Sequence, residues 1–167
     1  MIVSEPSNPW VSGVASLFTT EFYRDVRRYL KDDGLFMQWV QLYEISPALL
    51  ATVVAALEEN FVDYEMWMGN SADLLIVASQ RGPLPRPVPR AFDNPDLRAD
   101  LKRFHIENID DLLLHRIGRR ESLAPYFAAF GAQANSDFSP ILDLQASKAR
   151  FMKVSAYELP PLTEAAV

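Results

Sequence analysis

Leu35-Phe36-Met37-Gln38-Trp39-Val40-Gln41-Leu42 is a nearly continuous apolar and aromatic run, the pattern of a strand covered on both faces. Shortly after it, Ser46-Pro47 opens a helix expected to run to about Asn60, with serine as N-cap and proline at the first helical position. Working back, Leu17, Phe18, Phe22, Val26, Tyr29 and Leu30 recur at spacings of three and four, with charged residues between them. That periodicity predicts an amphipathic helix over 17–30, stopped by Asp33-Gly34. Before it, Ile2-Val3 reads as the tail of a buried strand that begins abruptly. Working forward, 64–68 and 74–78 read as two more strands joined through Gly69-Asn70-Ser71. The order strand, helix, strand, helix, strand, strand predicts an α/β fold. Its sheet is expected to be mostly parallel and three-layered, with one antiparallel hairpin strand at the far side.

Beyond these elements, Arg81 to Arg90 carries Pro83, Pro85, Pro87 and Pro89 at alternate positions, which favours an extended spacer. It divides the chain into an α/β region over 1–80, a linker over 81–93 and a mostly helical region over 94–167. Within the last, helices are expected from Asn94-Pro95-Asp96 to about His105, from Ile109 to Ile117 with Gly118 as the stop, and from Ser122 to Phe130. The stretch 135–154 is mixed, and the last ten residues read as frayed.

Composition narrows the function classes. A net charge of −6 argues against a nucleic-acid or anionic-membrane surface, both of which need a basic patch. The longest uncharged apolar stretch, Ala48 to Leu57, is too short to span a bilayer. The first residues lack the basic flank of a signal peptide, and no cysteine is present, so a cytoplasmic setting is expected. The six glycines include no G-x-G pair of the kind that cradles phosphate. Trp39 and Trp67 read as core residues, and His105 and His115 as surface or interface residues without acids at metal spacing. Arg116, Arg119 and Arg120 read as a solvated helix end.

The segment richest in chemistry is Ser4-Glu5-Pro6-Ser7-Asn8-Pro9-Trp10. In an open parallel sheet, ligands sit beyond the carboxyl ends of the strands, and this loop leaves the carboxyl end of the first one. A carboxylate and a carboxamide on a proline-stiffened loop suit binding or deprotonation of an amine. With its flanks, Ile2-Val3 before it, then Ala15-Ser16-Leu17-Phe18-Thr19-Thr20-Glu21-Phe22-Tyr23 and Asp33-Gly34-Leu35-Phe36-Met37-Gln38, the segment resembles the second half of the spermidine synthase (polyamine aminopropyltransferase) family. The resemblance covers 2–79. Asn135-Ser136-Asp137-Phe138-Ser139-Pro140, with Leu142 and Asp143, is similar to a C-terminal element of larger relatives.

This resemblance implies a partial Rossmann-like methyltransferase fold holding strands four to seven. It also implies transfer of an aminopropyl group from decarboxylated S-adenosylmethionine to putrescine. Glu5 stands where the family has the aspartate that deprotonates the amine, and Asn8 where a second aspartate holds the diamine. Ser7, Trp10 and Gln38 join Asn8 as expected substrate contacts, although Gln38 sits one residue early, and such a slip reverses its face. Val14 and Leu17 fall where relatives line the nucleoside pocket.

Relatives also bind the nucleoside through a glycine-rich turn after their first strand, and that turn has no counterpart here. The chain alone is therefore expected to bind no cofactor and no metal, and to be inactive by itself. Expected partners are a small amine in the parent fold and either another copy of the chain or a missing N-terminal half. Two alternatives stay open: a methyltransferase-type relative or S-adenosyl ligand binder, since Asn8 suits a neutral acceptor, and a non-catalytic oligomerising remnant.

Overall fold

The computed structural model describes residues 1–157, so the expected fraying of the last ten residues lies outside the described part. Five strands, β1 (Ile2–Ser4), β2 (Leu35–Gln41), β3 (Asp63–Asn70), β4 (Asp73–Ser79) and β5 (Arg116–Arg119), form one sheet in the order β1-β2-β4-β3-β5. The helices are α1 (Thr20–Tyr29), α2 (Pro47–Glu58), α3 (Pro95–Lys102), α4 (Ile109–Leu113), α5 (Arg120–Ala128) and α6 (Ile141–Phe151). Short 3₁₀ turns cover Val14–Phe18 and Pro89–Asp93. No helix among the described residues is long and apolar enough to cross a membrane.

The chain is α/β, but the sheet is mixed rather than mostly parallel. Only β1 and β2 pair in parallel; β2–β4, β4–β3 and β3–β5 are antiparallel. The antiparallel strand of the hairpin is not at the far side. It inserts beside β2, because the tight turn Ser71-Ala72 returns the chain along β3 and the apolar β4 is then buried between two neighbours. β3 itself runs through Gly69-Asn70, which the sequence pattern assigns to the turn.

Two more boundaries differ for physical reasons. Helix α1 ends at Tyr29, and Gly34 does not cap it. Gly34 is needed for close approach, since a Cβ there would lie 2.9 Å from Leu30 Cγ and 2.9 Å from the Lys31 carbonyl oxygen. The expected helix 109–117 stops at Leu113, and Arg116–Arg119 forms the edge strand β5. There Arg116 and Arg119 meet Glu65 of β3 at 3.8 and 3.1 Å, so they are not a solvated helix end.

Alternation along the strands puts Phe36, Gln38 and Val40 with Tyr64, Met66, Leu74, Ile76 and Ala78 on one face, all buried. Helix α2, apolar nearly all round, packs there between α1, α5 and α6. Phe36 and Phe61 stack at 5.4 Å, with Tyr23 edge-on to both. The opposite face carries Met37, Trp39, Trp67, Leu75 and Val77, all only partly buried, so β2 is not fully covered on both sides and the two tryptophans are not core residues. Its β1 end is the barest: Val3 is 49% exposed.

Asn135 ties the helical layer together. Its Nδ2 donates to the carbonyls of Phe18 at 3.1 Å and Ala15 at 3.4 Å, and its Oδ1 accepts from Leu142 N at 3.0 Å. Its backbone accepts from Thr20 N and donates to Thr52 O. One wholly buried residue thereby satisfies orphan groups at the starts of α1 and α6. Asn135→Ala should cost about 2–4 kcal/mol in urea unfolding, because the partners stay buried without bonds. Asn135→Asp should be at least as damaging, because it aims an oxygen at two carbonyls. A loss within experimental error for both variants would contradict this role.

Candidate functional site

The parallel pairing Ile2↔Phe36, Val3↔Met37 and Ser4↔Gln38 makes β1 and β2 point the same way. The loop leaving β1 therefore meets the segment leaving β2. The Tyr43 hydroxyl donates to Asn8 Oδ1 at 3.1 Å, and the Trp10 ring stands edge-on to Tyr43 at 6.0 Å. The Arg150 guanidinium of α6 lies over Trp10 at 5.4 Å and pairs with Glu44 at 3.7 Å. Glu44 adopts a left-handed φ of 55°, a backbone state that costs a non-glycine residue roughly 1 kcal/mol or more.

Within the loop, Pro6 and Pro9 are buried anchors. Glu5 and Ser7 face solvent and make no hydrogen bond or ion pair among the described residues. Asn8 and Trp10 are thus brought together with Tyr43, Glu44 and Arg150, three residues that sequence reasoning did not single out.

Gln38 lies elsewhere. It is fully buried on the helix-covered face, where its Nε2 donates to Leu17 O at 2.9 Å and its Oε1 accepts from the Tyr23 hydroxyl at 2.6 Å. Both ends of the amide are engaged, and the Leu17 carbonyl is engaged with it. Val14 and Leu17 sit in the 3₁₀ turn, half-buried. Gln41, on the opposite face at the carboxyl end of β2, is also fully buried, yet among the described residues neither its Nε2 nor its Oε1 has a hydrogen-bond partner. Two glutamines in one strand are therefore in opposite states, one engaged at both ends and one at neither.

A polar cavity of about 240 Å³ opens between the 3₁₀ turn and the start of α6, walled by Ser12, Ser16, Thr19, Asp137 and Asp143 among others. Hydroxyls and two carboxylates make it suited to a small polar or cationic guest. The signal for its far wall was present in the 135–143 motif. As a seat for a nucleoside cofactor it fits poorly: Gly13 alone contributes a left-handed glycine, at φ 82°, and no glycine-rich turn cradles an anion. Among the described residues, no group of three or more histidine, aspartate or glutamate side chains is arranged to hold a metal ion.

A second charged centre lies across the sheet. Burial pushes the Glu65 carboxyl up, while Arg116 and Arg119 pull it back down. Glu65 is only 4% exposed, so its two arginines are what make its charge tolerable there. Among known proteins, the chain matches no family model, no curated protein and no solved structure.

The two glutamines make a paired prediction. Gln41→Met should be neutral or stabilising, because it removes two unpaired polar atoms; Gln38→Met should cost about 1–3 kcal/mol, because it strands the Tyr23 hydroxyl and Leu17 carbonyl. Urea unfolding of both variants checks this, and equal losses would contradict it. Burial also pushes the phenols of Tyr23 and Tyr64 well above their ordinary range, with Glu58 adding to the rise at Tyr64. The fold favours the neutral phenol, so this contribution is complete below about pH 10, the ordinary tyrosine value, and is lost as pH climbs above it. Unfolding at pH 8 and pH 11 should show the loss, and Tyr23→Phe should show a smaller one.

Proposed function

We propose that the chain is part of a spermidine synthase-like aminopropyltransferase and carries the amine-side portion of its site. The observation that carries this reading is the parallel β1–β2 pair. It sets the Glu5–Trp10 loop at the carboxyl ends of two strands, where open α/β sheets bind ligands, and holds Asn8 there through Tyr43.

In this reading Glu5 is the general base for the attacking amine, and its exposure leaves it free to receive the proton. Trp10 supplies an aromatic face for the cationic part of the acceptor, in competition with the Arg150 guanidinium that lies over it. Asn8 supplies an oriented carbonyl rather than a charge. Gln38 serves the core instead, because both ends of its amide are engaged. The described residues do not form a seat for the nucleoside cofactor.

Calorimetric titration of the full chain with putrescine, and with the uncharged butane-1,4-diol as control, tests the amine side directly. Saturable binding of putrescine at least about tenfold tighter than the diol is expected, since one charge-assisted hydrogen bond is worth roughly that factor. Glu5→Gln and Trp10→Ala should each weaken it. Equal binding of diol and diamine, or putrescine binding unchanged in both variants, would overturn the reading and favour the methyltransferase-type alternative that Asn8 allows.

A further inference from the structure

On the sheet face opposite the helical core, Trp67 of β3 and Leu75 and Val77 of β4 stand side by side. Phe104, Ile106 and Leu112, on the segment that crosses over this face, close a cavity of about 320 Å³ against them. Among the described residues no lysine, arginine or carboxylate lines it, and its polar side chains are His115 and the indole of Trp67. Space of this size is at the lower end of small-molecule sites, and its lining is made mostly of large apolar side chains. Phe104 lines the cavity while remaining 67% exposed, so the cavity is reachable from solvent.

Three features fix the shape of the wall. Arg116, held by Glu65, lies over the Trp67 ring at 5.9 Å. His105, between the roof residues Phe104 and Ile106, takes a left-handed φ of 62° that closes α3 in a Schellman turn, with His105 N donating to Lys102 O at 3.0 Å and Ile106 N to Leu101 O at 3.1 Å. His115 is bound to Met68 twice: Met68 N donates to His115 O at 2.7 Å, and His115 Nδ1 faces Met68 O at 3.1 Å. A carbonyl oxygen only accepts, so Nδ1 carries the proton, and in the neutral imidazole that arrangement leaves Nε2 as the acceptor.

From this geometry we propose that the cavity is a binding site for a small, uncharged aromatic molecule bearing a single O–H or N–H donor, of the phenol or indole class. The apolar walls take the ring system. His115 Nε2 accepts the donor, and a carboxylate or ammonium group would be buried without a partner of opposite charge. The site is separate from the Glu5–Trp10 loop and does not depend on the function proposed for that loop.

Calorimetric titration of the full chain with 2-naphthol, 2-methoxynaphthalene and naphthalene-2-carboxylate tests the proposal. Saturable 2-naphthol binding is expected, with the methyl ether about tenfold weaker for want of the donor and the carboxylate weaker still. Val77→Phe fills the cavity from the sheet and should abolish binding while circular dichroism stays unchanged. If that variant does not fold, Leu112→Trp fills it from the roof. Absence of saturable 2-naphthol binding, equal binding of the methyl ether, or binding that survives filling overturns the proposal. So does a concentration-dependent dimer in sedimentation that filling abolishes, which would make a second copy of the chain the occupant.

Discussion

A single buried carboxamide holds the helical layer in place. Asn135 offers two donors to the carbonyls at the 3₁₀ turn and one acceptor to the first turn of α6, while its main chain bridges α1 and α2. Two of those groups, Thr20 N and Leu142 N, are first-turn N–H groups of α1 and α6 that have no partner within their own helices. With the pin in place the 3₁₀ turn is fixed, and with it the Leu17 carbonyl that orients Gln38 and the serines that wall the polar cavity. The stability of the core and the shape of that cavity are therefore set by the same contact.

The sheet separates the molecule into two chemically different sides. One face is closed by α1, α2, α5 and α6 around stacked aromatics, and its polar groups are nearly all paired. The other face is only partly roofed. It holds a charged cluster about Glu65 next to an apolar cavity, with Trp67 touching both. At the open ends of β1 and β2, the loop residues Asn8 and Trp10 meet an arginine from α6. A cation is thus already seated on the aromatic ring by the chain itself, and any cationic guest there competes with Arg150.

Much of the architecture was legible because local chemistry announced it. Ser46-Pro47 starts α2 as expected, and Asn94 caps α3 through its side chain. The strands β2, β3 and β4 follow their apolar runs. Sheet order was not legible, because a strand's own pattern does not say which neighbour it pairs with. Strand β5 was missed because four residues with an arginine at each end carry no period and imitate a helix terminus. At the site, the loop itself was visible, but Tyr43, Glu44 and Arg150 come from segments far apart in the chain and carry no shared motif. Gln38 looked like a free amide beside a ligand and is a core hydrogen-bonding group, since one residue of register decides which face it takes.

Strand β1 has three residues and, among the described residues, pairs with β2 alone. Proteins open locally with free energies that vary from nearly zero to the full stability, and short edge segments with few partners lie at the low end. Release of β1 would free the amino-terminal end of the Glu5–Trp10 loop, whose Pro6, Pro9 and Trp10 remain anchored, without disturbing the stacked core of Phe36 and Phe61. The amide protons of residues 2–4 should then exchange with solvent long before those of β4. That local opening loosens one end of the loop, and a measurement of global stability would not register it.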